Sequence, residues 1–269
     1  MPELPEVEFA ARRLRTWAIG RAVARVEGEP GRPLCDVDPD ELDAALAGRT
    51  ITAVRRHGKQ LFIDFDDGHV LTSHLGMTGK WLRLPEHAPP REGTRLALVL
   101  DDGHRLDHVD PRRLGRLRLL ARGEKHPEID RLGPDALEAC ARPGALAEAV
   151  GWSRREIKVA LMDQESLAGV GNIYAAEALH AARISPFRAA AELRPAEFDR
   201  LAAAIVDAMQ QSLARERDDE IRYLQDRDAK NPFRVYGRTD APCPRCGVAI
   251  IRAVQQGRST FYCPVCQPD

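Results

Sequence analysis

The N-terminal segment Met1–Glu6, with the sequence MPELPE, places a potential nucleophile beside carboxylic acids. Removal of Met1 would leave Pro2 with a free secondary amine. An α-amino group has a reference pKa of roughly 7.7–8.0, so part of it is unprotonated near neutral pH. Its attack on a sugar or carbonyl carbon would form an iminium, the secondary-amine form of Schiff-base catalysis. The alternative, which composition alone favours, is an exposed turn before a helix, because Pro and Glu are common at helix starts.

Two pairs of cysteines lie near the C-terminus, with two residues inside each pair and sixteen residues between the pairs. They are Cys243, Cys246, Cys263 and Cys266. Two such knuckles can converge on one tetrahedral ion, so the spacing predicts a single structural Zn²⁺ with four thiolate ligands. Disulfides or a redox pair are disfavoured, because nothing indicates secretion and an intracellular compartment keeps thiols reduced. We expect Cys35 and Cys140 to be ordinary thiols.

The composition is ordinary for a globular protein: 43% of the 269 residues are hydrophobic and 30% are charged. No apolar run is long enough to cross a bilayer, and no basic segment followed by an apolar one opens the chain. We therefore expect neither membrane insertion nor a signal peptide. The formal net charge of −1 neither supports nor excludes a nucleic-acid partner, because local clusters of charge decide such binding.

Periodicity predicts a helix over Pro5–Ile19 and then short strands between residues 21 and 120. The dipeptides Asp67-Gly68 and Asp102-Gly103 are typical of hairpin turns. Short strands between regular turns favour a sandwich or a barrel-like β domain. From Gly123 onward the pattern is helical.

In the helical part, Ser153 and Glu156 have the spacing of a capping box at a helix start. A glycine-bearing turn, residues 169–172, precedes a predicted helix over Ile173–Ala182. Its glycines either let two helices pack closely or expose backbone amides that hold a phosphate. Near the C-terminus, residues 249–251 and 260–262 are expected to pair as a hairpin inside the zinc ribbon.

Seven short segments occur along the chain in a fixed order. They are residues 1–6, 56–59 (RHGK), 74–79 (HLGMTG), 110–113 (DPRR), 169–174 (GVGNIY), 235–238 (VYGR) and 258–260 (RST). Together with the cysteine spacing, they resemble the family of formamidopyrimidine-DNA glycosylase and endonuclease VIII, and more closely its formamidopyrimidine-DNA glycosylase side. The likeness runs from residue 1 to residue 267.

The resemblance implies a multidomain α+β protein in three parts. These are an N-terminal two-layer β-sandwich with an N-terminal helix (1–122), a helix–two-turn–helix domain (123–222), and a linker with a C-terminal zinc ribbon (223–269). It also implies a bifunctional glycosylase and lyase of base excision repair. Such an enzyme removes an oxidised base from damaged double-stranded DNA and then nicks the strand by β,δ-elimination. We accordingly expect a monomer in the cytoplasm, associated with the nucleoid if the source is bacterial.

The family's catalytic roles fall on four residues of this chain. Pro2 would attack the anomeric carbon, and Glu3 would be the general acid and base for sugar opening. Lys59 would donate a proton in β-elimination or clamp a phosphate; without the motif, a surface lysine is the simpler interpretation. Arg258 would donate to phosphate and assist δ-elimination, because its guanidinium grips two oxygens and keeps its charge.

Other residues match the family's DNA contacts, either filling the gap left by a flipped nucleotide or touching the backbone. They are His74, Met77, Arg112, Leu114, Arg154, Lys158, Asn172 and Tyr236. Leu114 stands where the family usually has an aromatic residue, and leucine stacks poorly on a base. His74 and Tyr236 have structural alternatives, and Met77 has the alternative of filling a gap in the core.

The expected substrate is an oxidised purine of the 8-oxoguanine or formamidopyrimidine type. Excision of oxidised pyrimidines, as in endonuclease VIII, is one alternative, because residues 216–233 lack the glycine-rich stretch that caps 8-oxoguanine in the family. A second alternative is a protein that binds damaged DNA without chemistry. A third, a zinc-ribbon protein of transcription or RNA handling, would require the N-terminal match to be accidental.

Overall fold

The computed structural model describes residues 2–28, 38–215, 220–221, 223–224, 226 and 230–268. By its internal contacts the chain forms two compact units, Met1–Asp130 with Glu216–Asp226, and Arg131–Arg215 with Arg227–Asp269. Met1 and Cys35 lie outside the described residues, so the expectations about them have no structural counterpart. No helix in the described ranges is both long and apolar enough to cross a membrane.

The strands of the first unit form two four-stranded antiparallel sheets. They are β1 Val23–Gly28, β2 Ile51–His57, β3 Gln60–Phe65, β4 Val70–His74, β5 Lys80–Pro85, β6 Thr94–Leu100, β7 His104–Val109 and β8 Arg116–Leu120. The first sheet has the order β1-β6-β7-β5 and the second has the order β2-β3-β4-β8. One hydrophobic cluster contains side chains of both sheets, such as Leu61 and Leu98. The predicted two-layer β-sandwich is thereby confirmed.

Helix α1 spans Leu4–Ala18, within one residue of the predicted bounds at each end. Its apolar side chains recur at helical spacing, so Val7, Ala11 and Leu14 are fully buried in the same cluster as the sandwich core. Complete burial of a side chain such as Leu14 contributes about 1.5–3 kcal/mol. This packing fixes the helix that directly follows the candidate nucleophile Pro2 and the N-cap Glu3. Two further helices of this unit are α2, Pro39–Leu46, and α3, Pro127–Asp130.

The second unit contains the helical segment and the ribbon. Its helices are α4 Ala136–Cys140, α5 Ala145–Val150, α6 Ile157–Leu161, α7 Asn172–Ala182 and α8 Pro195–Arg215, with a 3₁₀ turn at Ala190–Glu192. The capping box predicted for Ser153 is wrong, because α6 begins only at Ile157 and its N-cap is Glu156, without a side-chain cap. The backbone of residues 153–156 instead bonds to residues 189–191, and this pairing overrides the local signature.

Between its two cysteine pairs the ribbon contains a hairpin of β9, Ile251–Gln255, and β10, Arg258–Tyr262. Tyr262 pairs with Ile251 and Arg258 pairs with Gln255, so Arg258 is the first residue after the hairpin turn. Strand β9 begins at Ile251, two residues later than expected, because Ala249 forms only an isolated bridge.

Candidate active site

Pro2 and Glu3 are both buried at the start of α1. The backbone N–H of Glu3 donates to Oε2 of Glu6 at 2.8 Å, and its carbonyl accepts from the N–H of Val7 at 3.1 Å. The carboxyl group of Glu3 is enclosed, with 0% of the residue exposed. The first turn of the helix therefore holds the backbone of Glu3, the residue next to Pro2, in one fixed position.

An ion pair joins α1 to the hairpin that carries Lys59. Nε of Arg56, on β2, lies 2.9 Å from Oε2 of Glu8, and only 7% of the Arg56 side chain is exposed. Burial raises the pKa of Glu8, but hydrogen bonds from Arg56 and Arg12 outweigh that effect, so the pKa is lowered overall. The charged pair fastens the helix of Pro2 to the strand that leads into Lys59.

Two candidate residues, Lys59 and His74, lie at one end of the second sheet. His57 pairs with Gln60, and Gln60 pairs with His74 on the next strand. His74 in turn pairs with Arg116, the first residue of β8. Lys59 lies in the turn between β2 and β3, beside this row. The sheet therefore brings together cations and imidazoles that are far apart in the sequence.

His74 is the last residue of β4 and directly precedes the loop of residues 75–79. Its Nδ1 accepts a hydrogen bond from the N–H of Gly76 at 3.1 Å, so the neutral ring carries its proton on Nε2. Burial lowers the pKa of His74 to about 4, and the positive charges of Lys59 and Arg116 add to this effect. The side chain thus has a structural role in the loop, and its contact with DNA stays a prediction.

Two loops adjoin this end of the sandwich. Residues 75–79 connect β4 to β5 and carry Met77, which is partly buried. Residues 110–115 connect β7 to β8 and carry Arg112 and Leu114, which are both exposed. Leu114 keeps 47% of its surface in solvent, so its apolar side chain is accessible at this end of the sandwich.

The second unit gathers three candidates around the ribbon hairpin. Asn172, the first residue of α7, donates from Nδ2 to the carbonyl oxygen of Ser259 at 2.9 Å. Lys158 is fully buried, and its Nζ donates to the same carbonyl at 3.2 Å and to Oγ1 of Thr260 at 2.8 Å. Both side chains therefore hold the residue that follows Arg258. Their contacts with DNA stay predictions.

The remaining candidates of this unit differ in exposure. Arg154 and Arg258 are both exposed. Tyr236 packs against other rings, with its centroid 5.0 Å from that of Phe261 and 6.1 Å from that of Phe233. This packing gives Tyr236 a structural role in the ribbon, whereas the two arginines extend into solvent.

The four predicted ligand cysteines converge in the ribbon. Their sulfur atoms all lie within 4.8 Å of one another. Four sulfurs about 2.3 Å from one tetrahedral zinc ion would be about 3.8 Å apart, so the residues fit the ion. Backbone N–H groups also point at the ligands, from Arg245 to Sγ of Cys243 at 3.5 Å and from Cys266 to Sγ of Cys263 at 3.4 Å. Such donors favour the thiolate form that binds zinc.

Three buried polar residues, Asp110, Glu177 and His180, were not predicted from the sequence to have a role. His180 places Nε2 3.4 Å from Sγ of Cys243, and Glu177 accepts bonds from the backbone of residues 234–236. Both interrupt the otherwise apolar helix α7 three residues apart, a pattern that could have revealed a shared polar face. The third, Asp110, stands in the 110–113 motif, and its side chain bonds to Thr78, 32 residues away, as well as to the nearby Leu114 and Gly115.

Comparison with known proteins identifies the family. The model of the formamidopyrimidine-DNA glycosylase N-terminal domain matches residues 1–117, that of the H2TH domain matches residues 132–222, and that of the zinc finger found in FPG and IleRS matches residues 241–268. The formamidopyrimidine-DNA glycosylase of Laribacter hongkongensis is 40% identical over 276 residues, covering 99% of this chain and 100% of that protein. The chain belongs to the formamidopyrimidine-DNA glycosylase family.

Solved structures of family members agree. The Thermus thermophilus protein has a TM-score of 0.80 at 40% identity and covers 99% of this chain and 98% of its own. The Lactococcus lactis glycosylase, bound to DNA with an abasic site, has a TM-score of 0.86 at 30% identity and covers both chains fully. The same protein is known with N7-benzyl-Fapy-dG DNA and with oxidised-pyrimidine DNA.

Membership in this formamidopyrimidine-DNA glycosylase family makes the chain a DNA glycosylase and lyase of base excision repair, with damaged DNA as its partner. The zinc-finger match and the cysteine cluster confirm one structural zinc site. Pro2, Glu3, Lys59 and the loops with Met77 and Arg112 belong to the first unit, whereas Arg258 belongs to the second. The predicted domain boundaries at 122/123 and 222/223 stay predictions.

Proposed function

We propose that the amine of Pro2, freed by removal of Met1, attacks the anomeric carbon of a damaged nucleoside. A C–N bond to Pro2 forms as the glycosidic bond to the base breaks. Opening of the sugar breaks its ring C–O bond, Glu3 supplies the proton to the released oxygen, and loss of the N–H proton leaves an iminium. The observation that carries this proposal is the fixed start of α1, where Pro2 is adjacent to the buried Glu3.

Strand cleavage follows from the iminium in the same proposal. Lys59 donates a proton in β-elimination or clamps a phosphate, and its place in the turn at the sheet end, fastened to α1 through Glu8 and Arg56, supports that role. Arg258 donates to the phosphate that leaves in δ-elimination. Its exposed position after the hairpin turn supports this assignment, because a guanidinium holds two phosphate oxygens at once.

Base displacement is assigned to Met77, Arg112 and Leu114. A duplex hides the anomeric carbon, so the nucleotide must leave the stack at a cost of a few kcal/mol, and side chains must fill the gap. The exposure of Arg112 and Leu114 on one loop supports their insertion. Leu114 acts as an apolar wedge, whereas Arg112 hydrogen-bonds to the unpaired base.

Backbone contacts complete the proposed interface. Arg154 is exposed and meets phosphate directly. Lys158 and Asn172 already donate to Ser259, so in this proposal they meet the phosphate together with the hairpin that they hold. His74 and Tyr236 are the remaining contacts assigned from the family's pattern.

The proposed substrates are oxidised purines of the 8-oxoguanine and formamidopyrimidine type in double-stranded DNA. The motifs at 74–79 and 110–113 support this preference. Leu114 in place of an aromatic residue, and a Lactococcus lactis relative known with oxidised-pyrimidine DNA, make pyrimidine lesions the second candidate. We further propose that the protein acts as a monomer in the cytoplasm, where its substrate and its reduced zinc ligands would both be found.

The test is borohydride trapping on three duplexes, which carry 8-oxoguanine, an oxidised pyrimidine or a plain abasic site. Borohydride reduces the iminium to a stable amine, so wild-type protein should form a covalent adduct and Pro2→Gly should not. Pro5→Ala is the matched control, because it changes the other proline of the segment and keeps the nucleophile. Duplex binding by Pro2→Gly should remain close to that of the wild type.

Three outcomes contradict the proposal. An undiminished adduct with Pro2→Gly would place the nucleophile elsewhere. No adduct from wild-type protein of the processed mass and full zinc content would leave a damage-binding protein. Stronger trapping on the oxidised pyrimidine than on 8-oxoguanine would reverse the proposed substrate preference.

A further inference from the structure

We propose that Asp110 is a positioning residue that locks together the two loops assigned to base displacement. This inference rests on the proposed function, because it presumes that Met77 and Leu114 enter the duplex. It goes beyond that function by naming what sets the two wedges at a fixed distance from each other.

The carboxylate of Asp110 receives three donors from the two loops. Oδ1 accepts from the hydroxyl of Thr78 at 2.5 Å, in the loop of residues 75–79. Oδ2 accepts from the backbone N–H groups of Leu114 at 2.8 Å and Gly115 at 2.7 Å. Each oxygen thus serves a different loop, and one rigid group spans both.

Asp110 itself stands on a fixed base. Its N–H donates to the carbonyl of Gly93 at 2.9 Å, and its carbonyl accepts from Nε of Arg95 at 3.0 Å and the N–H of Arg113 at 3.1 Å. None of the residue is exposed. A buried carboxylate is stable only when its oxygens are hydrogen-bonded, so the donors from both loops are needed as much as the carboxylate.

The loops also meet at their backbones. A Cβ on Gly76 would collide with the carbonyl carbon and oxygen of Leu114, and one on Gly115 would lie 3.1 Å from Oδ2 of Asp110 and from the carbonyl oxygen of His74. Gly76 has φ of +60°, which also disfavours any other residue there. The contact that Asp110 fastens is therefore one between two backbones without side chains between them.

Two of the bonds of Asp110 lie at a wedge residue or next to one. One joins Asp110 to Thr78, the neighbour of Met77, and the other joins it to the backbone N–H of Leu114 itself. The arrangement therefore suits base displacement. A shift of either loop would separate the two wedges, whereas the carboxylate holds both without touching DNA. Reactive geometries require support of this kind, since a small displacement of a contacting group lowers the rate.

The test compares Thr78→Val with Thr78→Ser. Valine keeps the shape and loses the hydroxyl, whereas serine keeps the bond to Asp110. Thr94→Val is the matched control, because it removes a hydroxyl bond to another carboxylate of the same unit, that of Asp107, at 3.1 Å. Single-turnover excision is measured on an 8-oxoguanine duplex and cleavage on a preformed abasic site. The fluorescence of 2-aminopurine beside the lesion reports unstacking directly.

Loss of one hydrogen bond to a charged group corresponds to roughly a 10- to 100-fold slower step. We expect Thr78→Val to slow lesion excision and the rise in fluorescence by about that factor, with a smaller effect on the abasic site, where no base has to be displaced. Thr78→Ser and Thr94→Val should behave as wild type.

Equal activity of Thr78→Val and Thr78→Ser would overturn the inference, as would an equal loss by Thr78→Val on both duplexes. No excision by the wild type on any duplex would instead refute the proposed function. The two failures are therefore distinguishable.

Discussion

Glu177→Gln should release the segment that leads into the zinc ribbon. The carboxylate of Glu177, on α7, accepts from the backbone N–H groups of Arg234 at 2.8 Å, Val235 at 2.8 Å and Tyr236 at 2.9 Å. Only 7% of Glu177 is exposed, so these bonds are shielded from water. Glutamine keeps the shape of the side chain and replaces one acceptor oxygen by a donor.

The magnitude follows from counting the bonds. If the remaining oxygen keeps Val235 and Tyr236, the N–H of Arg234 faces an NH₂ group and loses its partner, which costs about 1.5–3 kcal/mol for a bond to a charged acceptor. The two surviving bonds become neutral ones of roughly half the strength, which costs about 0.5 kcal/mol each. The local opening free energy of the segment should therefore fall by about 2.5–4 kcal/mol.

Amide hydrogen exchange measures this opening directly. A loss of that size should accelerate exchange at residues 234–236 by roughly 70- to 900-fold, since about 1.36 kcal/mol is one power of ten. Glu148→Gln, at an exposed site on α5, is the matched control and should leave those amides unchanged. Equal exchange in the two variants would show that the carboxylate does not hold the segment. Acceleration spread evenly over the whole chain would show general destabilisation instead.

Two further predictions concern buried histidines. His180→Phe should accelerate the transfer of zinc to a chelator by about 10- to 100-fold, because the imidazole beside Sγ of Cys243 stabilises that ligand. His180→Gln keeps a donor and should accelerate the transfer less, and equal rates in wild type and His180→Phe would refute this role. Burial lowers the pKa of His108 to about 4; the charge of Asp110 opposes this effect and that of Arg95 adds to it. Between about pH 6.5 and pH 4 the unfolded chain therefore binds a proton that the folded chain does not. The free energy of unfolding should fall as the pH drops through that window, by about 2 kcal/mol at pH 5. In urea unfolding, His108→Leu should therefore show a flatter dependence of this free energy on pH. The same dependence in variant and wild type would mean that the ring is protonated in the folded state as well.

Local sequence patterns predicted those features that depend on local physics. The periodicity around Leu14 located α1, because a helix needs only its own repeat and a surface to cover. The pairs Asp67-Gly68 and Asp102-Gly103 lie between paired strands, as hairpin turns should. The spacing of the cysteines predicted the zinc site for the same reason, since the ligands of each knuckle are fixed by a few bonds of chain.

Long-range bonds were not predictable from such patterns. Ser153 has the local signature of a cap, but residues 189–191 bond to the segment that it begins, and the helix starts later. The contact of Lys158 with the DNA backbone stays a prediction, but its bonds to β10, about one hundred residues away in the sequence, were not predicted. In both cases the bonding partner lies far away in the sequence, and a local pattern does not identify it.

The candidate residues therefore fall into two physical classes. Arg112 and Arg258 are exposed, and charges of this kind can meet phosphate or base and release counterions. Lys158 is buried and bonds to the carbonyl oxygen of Ser259, so under the proposed function it acts together with the hairpin that it holds. The carboxylate of Asp110 is an anion and neutralises no phosphate, but it bonds to the backbone of Leu114. Exposed and buried residues lie side by side in residues 110–115 and in residues 258–260. Under the proposed function, a short segment such as residues 110–115, in which exposed residues follow a buried one, would present its contact residues to DNA.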